Sequence, residues 1–120
     1  NFALNNAITA HDMLQVLELL ADKRKKGENI MPVSAMVMGN IRNLLKIKEM
    51  ISNGYGEARI ASELELPPFI VKKNIQSSKK FSLSSLQVAI NELAEMNIDI
   101  RRGGRQFERL EEILVKLLLA

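Results

Sequence analysis

The sequence predicts an all-α protein, a compact helical bundle of six or seven helices that forms a single domain over residues 1–120. Long stretches with an apolar period of 3.6 residues, rich in Leu, Ile, Ala, Glu and Lys, dominate the chain. The signs of strands, such as long alternation of Val, Thr and Tyr, are missing. Apolar residues make up 47% of the chain but aromatic residues only 4%, so we expect one mostly aliphatic core.

The first part of the chain predicts two helices with defined ends. Residues 2–10 form a short apolar stretch, and Asp12 suits the N-cap of the next helix because its carboxylate accepts from free backbone N–H groups. Four basic residues and Gly27 end that helix, since glycine is the usual residue just after a C-cap. Its predicted apolar stripe consists of Met13, Leu14, Leu17, Leu20 and Ala21.

A long central helix is expected next. Pro32 suits its first turn, where the missing N–H group costs nothing, and the helix should reach about Asn53-Gly54. Its apolar residues form two stripes, which predicts neighbouring helices on two sides. Gly39 and Asn40 lie inside it and weaken it by about 1 kcal/mol relative to Ala. We interpret Gly39 as the site of a close helix crossing rather than as a break.

Two short helices are predicted after a turn at Gly54-Tyr55-Gly56. The first runs from Glu57 to Leu64, and Pro67-Pro68 ends it and begins the second. Apolar positions in the second helix predict its buried face. That face consists of Phe69, Ile70, Val71 and Ile75.

The last two predicted helices are longer. Ser82 is a good N-cap, and Phe81 before it with Leu86 four residues after it match a hydrophobic staple. Gly103-Gly104 ends this helix. The final helix sets an apolar stripe against glutamates and Lys116. The stripe consists of Phe107, Leu110, Ile113, Leu114, Leu117 and Leu118.

Composition narrows the class of protein. The net charge is +3, and the basic clusters lie near predicted helix ends, where cations complement the helix dipole. The absence of Cys excludes disulfides and thiolate metal sites. No apolar run approaches the ~18 residues of a membrane span, and no signal peptide is present. We therefore expect a cytoplasmic protein with no membrane partner, and the abrupt start at residues 1–4 indicates a fragment of a longer chain.

The chain offers little for catalysis. The one histidine, His11, has no Cys or Ser partner, and candidate carboxylates such as Glu111 and Glu112 have spacings that do not face each other on a helix. Neither phosphate-binding glycine motif is present. We therefore expect no catalytic activity, no metal, no cofactor and no small-molecule substrate.

Residues 57–76 have the pattern of a helix-turn-helix DNA-binding domain. In such proteins, early outward residues of the second helix read bases in the major groove. Here those residues are Pro68, Phe69, Lys72, Lys73 and Gln76. A Pro-Phe tip is a poor base reader, and the two lysines supply phosphate contacts at most. DNA binding is thus one alternative, and two helices packed at a steep angle is the other.

The C-terminal run Leu117-Leu118-Leu119 is apolar on more than one face of its helix. Exposure of part of it would indicate a surface for a partner. Burial would indicate core packing of a terminal helix, and the two interpretations stay open.

Short motifs follow one another in a fixed order along nearly the whole chain. They are Phe2-Ala3-Leu4, Ala7-Ile8, Asp12, Gly27-Glu28, Pro32, Arg42-x-Leu44-Leu45-x-Ile47-Lys48, Gly56, Ile60-Ala61, Pro68-Phe69-x-Val71-Lys72-Lys73, Phe81-Ser82-x-x-x-Leu86, Leu93-Ala94-Glu95 and Ile98-x-Ile100-Arg101-x-Gly103. Each motif is weak alone, but their order and spacing together are fairly specific. The series resembles one family, the C-terminal domain of the delta subunit of bacterial DNA polymerase III. Ser85 and Arg101 depart from the family pattern, where Glu and Lys are expected.

This resemblance implies a clamp-loader collar domain, which joins equivalent domains of the other clamp-loader subunits in a hetero-oligomer. It implies a role in loading the sliding clamp during DNA replication. The domain would contact the sliding clamp and primer-template DNA only through the complete complex. The mechanism would be helix-on-helix burial over more than ~1,000 Å². The candidate partner interface is Pro68, Phe69, Lys72, Lys73, Leu117 and Leu118.

Overall fold

Seven helices and no strand make up the part of the chain that the computed structural model describes, residues 2–100 and 106–120, with the backbone alone for residues 99 and 100. The all-α prediction is confirmed. The helices are α1 (Phe2–Thr9), α2 (Met13–Lys25), α3 (Ile30–Ser52), α4 (Glu57–Leu64), α5 (Pro68–Ser78), α6 (Leu83–Ile100) and α7 (Gln106–Leu119).

The predicted ends of α2 are confirmed by hydrogen bonds. The Asp12 carboxylate accepts from the backbone N–H of Gln15 at 3.2 Å. At the other end Gly27 has a φ of +68°, and its N–H donates to the carbonyl of Arg24. The N–H of Glu28 donates to the carbonyl of Lys23, which completes a Schellman motif.

The long helix α3 lies at the centre, as its two apolar stripes predict. It packs against α6 and α1 on one side and against α5 on another. Its N-cap is Asn29, whose side chain accepts from the N–H of Met31. The interpretation of Gly39 as a close helix crossing is wrong, because Gly39 is exposed and a Cβ built there meets no atom within 4 Å.

Two apolar clusters flank α3. The major core joins α1, α2, α6, α7 and the N-terminal part of α3, and its fully buried members include Leu4, Ile41 and Leu93. The minor core lies under α4 and α5. It consists of Ile47, Ile60, Ala61 and Val71. Because α3 contributes to both clusters, it connects the small α4–α5 unit to the rest of the domain.

The stripe predicted for α2 is only partly right. Leu20 is buried, but Leu14 and Ala21 are exposed, and Val16 is fully buried instead. Apolar residues occur on several sides of this helix, so its sequence period does not identify one face. The face predicted for α7 matches the buried residues of that helix, and Phe107 packs against them.

The predicted hydrophobic staple is found at the start of α6. Phe81 and Leu86 are both buried. The hydroxyl of Ser82 accepts from the N–H of Ser85 at 3.0 Å, and the two hydroxyl groups lie 2.8 Å apart. Ser85 thus bonds to the cap although it departs from the expected Glu. The predicted stop at Gly103-Gly104 lies outside the described residues.

Candidate interaction surfaces

The first surface is the tip of α5, where four of the predicted interface residues lie together. Pro68 is the first residue of the helix and Phe69 the second, with 72% of Phe69 exposed. Lys72 and Lys73 follow one turn later and are exposed. Phe69 therefore does not belong to the buried face predicted for α5, which is built on Val71.

A rigid turn holds this tip. Glu65 has a φ of +54°, and its N–H donates to the carbonyl of Ser62. The N–H of Leu66 donates to the carbonyl of Ala61 at 3.0 Å, so a second Schellman motif ends α4. Pro67 and Pro68 then fix the backbone that enters α5. The position of Phe69 is thus set by backbone geometry, although its side chain has little protein around it.

The lysines on and around α5 have two different roles. Lys48 donates to the carbonyl of Ser78 at 3.1 Å, and Lys80 to the carbonyl of Ala10 at 3.4 Å. Each of these ammonium groups lies at the carbonyl end of a helix, as the helix dipole favours. Lys72 and Lys73 differ because they lie in the middle of α5, not near its end as expected, and neither forms an ion pair with a described residue.

The other two predicted interface residues lie elsewhere. Leu117 is 3% exposed and Leu118 is 6% exposed, and both belong to the major core. Leu119, the next residue, is 74% exposed. The structure therefore places the predicted pair in the core of the isolated chain, and the exposed part of the C-terminal leucine run is its last member.

A second surface, missed at the sequence level, lies along α6 and α7. A cleft of about 110 Å³ opens between the two helices. Its lining is mostly small or apolar and consists of Ser84, Ser85, Val88, Ala89, Glu92, Ile113, Lys116, Leu117 and Ala120. Leu83, Val88 and Ile98 are exposed apolar residues of α6. The sequence does contain a signal for this surface, because these apolar residues recur on the otherwise polar side of the amphipathic helix α6.

His11, the single histidine, lies at the end of α1 in the left-handed region with a φ of +61°. Its ring is 5.0 Å from the ring of Phe81, so it packs beside the start of α6. Among the described side chains, those of residues 2–98 and 106–120, no group of three or more His, Cys, Asp or Glu could hold a metal ion. No described helix is long and apolar enough to cross a membrane.

The pKa of Lys26 is displaced by a neighbour. The side-chain hydrogen bond and the charge of Asp22 raise the pKa of Lys26. The ammonium and the carboxylate are 3.0 Å apart on the exposed side of α2. Such exposed pairs contribute little to stability, so this pair stabilises the end of the helix only slightly.

Together these features define a small all-α helical-bundle domain that keeps several large apolar side chains on its surface. A sequence model of the DNA polymerase III delta subunit, C-terminal domain, matches residues 1–118, and the chain belongs to this family.

Two known proteins show how the chain compares with its relatives. It is 30% identical over 118 residues to the DNA polymerase III subunit delta of Bacillus subtilis (strain 168), covering 98% of this chain and 34% of that protein. Its structure is similar to that of the Bacillus subtilis DNA clamp loader delta protein (YqeN), with a TM-score of 0.80 and 30% identity. This match covers 99% of the chain and 35% of the solved one. The chain thus spans about a third of the length of these relatives.

Proposed function

We propose that this chain is the subunit-assembly domain of a clamp-loader delta subunit of DNA polymerase III. It joins the other clamp-loader subunits through helix contacts and so supports loading of the sliding clamp in DNA replication. The observation that carries the proposal is the family match over residues 1–118, supported by a structural similarity to a clamp-loader delta protein that covers 99% of the chain. The domain contacts the sliding clamp and primer-template DNA only through the complete complex. It has no catalytic activity of its own.

The apolar surface of the chain supports an assembly role. Four large apolar residues each expose well over half of their accessible surface: Phe2, Leu14, Phe69 and Leu119. Isolated exposed apolar residues are common, but large aromatic and leucine side chains at this exposure fit contacts with a partner. Removing this apolar surface from water would then favour association by ~25 cal/mol for each Å² buried. A stable interface should remove more than ~1,000 Å² of surface from water.

The tip of α5 is proposed as one contact with a neighbouring subunit. Its turn is fixed by Glu65 in the left-handed region and by Pro67 and Pro68, so Phe69 is presented at little cost in conformational freedom. Lys72 lies one turn further along, and Lys73 follows it. Phe69 would insert into an apolar pocket, and the lysines would face carboxylates of the partner.

The helix-turn-helix alternative is not favoured by the comparisons, which match the delta family over almost all of the chain. The first turn of α5 offers Pro68 and Phe69 rather than Arg, Asn or Gln, the usual base-reading residues. We therefore treat α4 and α5 as two packed helices that close the minor core.

Size-exclusion chromatography with light scattering tests the assembly function. The chain is run alone and then mixed with the C-terminal domain of the clamp loader's ATPase subunit from the same source. The expected result is a stable mixed complex at micromolar concentration. A clean monomer with no complex at tens of micromolar would contradict the proposal. Sequence-tolerant DNA binding that weakens with salt would then favour the alternative.

A further inference from the structure

The outer face of α6 is poor in charged side chains. The sixteen residues from Leu83 to Ile98 contain only two charged side chains, Glu92 and Glu95, in a chain that is 26% charged. Most of the exposed positions on this helix are uncharged. They are Leu83, Ser84, Gln87, Val88, Asn91, Ala94 and Ile98. Depletion of charge is the compositional feature that separates the core of a protein interface from ordinary surface.

The two charged residues of this stretch are already paired within the chain. Glu92 accepts from Lys116 of α7 at 3.2 Å, and a carboxylate oxygen of Glu95 lies 3.8 Å from Arg109. An approaching surface therefore meets side chains whose charges are locally balanced. A charged partner segment would lose its hydration there without gaining a new ionic contact. The face is complementary to another uncharged surface.

The geometry of the face suits a helix. From Ser84 to Ile98 it extends over about 21 Å, or close to four turns. The cleft between α6 and α7 lies beside its N-terminal half, and Val88 belongs to both the face and the cleft lining. At about 110 Å³ the cleft has room for one large aliphatic or aromatic side chain. The two charged residues of the cleft lining, Glu92 and Lys116, pair with each other. A groove of this kind with one pocket matches the way amphipathic helices dock, with an anchor residue placed in the pocket.

We propose that the outer face of α6 and the α6–α7 cleft bind a helix of a neighbouring clamp-loader subunit. That helix is uncharged along its contact side and places one large apolar side chain in the cleft. This inference rests on the proposed assembly function and assigns it to a different surface from the tip of α5. The surface of α5 and its flanking residues is basic instead, because residues 66–82 contain four lysines and no acidic residue.

The test introduces a charge at the centre of the face. Val88 is 40% exposed, so Val88→Lys places an ammonium group where the isolated chain tolerates it. The matched control is Ile51→Lys, since Ile51 is 39% exposed on the last turn of α3 and belongs to neither the face nor the cleft lining. Affinity for the C-terminal domain of the clamp loader's ATPase subunit is measured by calorimetry. Thermal unfolding of each variant is followed by circular dichroism.

Val88→Lys is expected to weaken binding by about 30-fold or more, because an unpaired charge is buried at the interface. Ile51→Lys is expected to stay within about 3-fold of the unsubstituted chain. If Val88→Lys does not fold, Ile98→Lys on the same exposed face takes its place. Equal affinities for the Val88 and Ile51 variants would overturn the inference but leave the assembly function intact.

Two further outcomes separate the inference from the function on which it rests. Absence of binding by the unsubstituted chain would count against the assembly function itself. Self-association of the chain that Val88→Lys abolishes would identify the occupant as a second copy and would overturn the assignment to a neighbouring subunit.

Discussion

Replacing Gly39 by alanine should stabilise the isolated chain. Gly39 lies in the middle of the 23-residue helix α3, is exposed, and leaves open space around an added Cβ. Alanine in a helix interior is favoured over glycine by about 0.8–1.0 kcal/mol. Because the added methyl group meets no neighbouring atom, Gly39→Ala should raise the free energy of unfolding by about 1 kcal/mol. For a domain of this size, that corresponds to a rise in Tm of about 4 °C.

Gly27→Ala is the matched control, because the surroundings are equally open but the backbone differs. Gly27 has a φ of +68°, and an added Cβ there also meets nothing within 4 Å. The left-handed conformation costs an alanine about 1–2 kcal/mol. Urea unfolding followed by circular dichroism should therefore move the two variants in opposite directions. A loss of stability in Gly39→Ala would contradict this prediction, because it would show that a close neighbour constrains the backbone at this position.

Three more substitutions test the packing and the turns by the same unfolding measurement. Leu93→Ala removes a fully buried side chain of the major core and should lower the free energy of unfolding by about 2–5 kcal/mol. Leu83→Ala on the exposed side of α6 should lower it by less than about 1 kcal/mol. Similar losses in the two variants would contradict the described core. Glu65→Gly relieves a left-handed residue at the end of α4 and should gain up to about 1 kcal/mol, and a loss would count against that turn. Ser34→Ala removes the 2.8 Å hydrogen bond from a buried hydroxyl to the side-chain oxygen of Asn97 and should cost about 1–3 kcal/mol; no loss would mean that Asn97 finds another donor.

Local signals predicted most of the helix boundaries. Asp12, Gly27 and Ser82 mark helix ends because each satisfies backbone groups within a few residues of itself. Such interactions depend on neighbours in the sequence and can be recognised without the fold. The end of α4 is different, because a glutamate takes the left-handed position that glycine usually fills.

The faces that depend on tertiary contacts were harder to predict. Leu14 and Val16 have similar apolarity, and only the position of α7 and α1 around α2 decides that Val16 is buried. The apolar positions of α5 predict Phe69 on its buried face, yet the small minor core is filled without it.

The candidate site was predictable in part. Pro68, Phe69, Lys72 and Lys73 are near neighbours in the sequence, so a single helix start brings them to one surface. Leu117 and Leu118 could not be assigned from sequence, because a terminal apolar helix can be buried or exposed. The α6–α7 cleft depends on how two helices meet, which no single motif encodes.

Hydrogen–deuterium exchange of the chain, free and in complex with the ATPase subunit's C-terminal domain, would show whether the domain assembles through α5, α6 and α7. Complex formation should slow exchange in α6 and the C-terminal half of α7, with a second protected region at the start of α5. Amides of α3 next to Ile51 should exchange equally in both states. Unchanged exchange throughout α5, α6 and α7 under conditions that saturate the complex would contradict assembly through these helices.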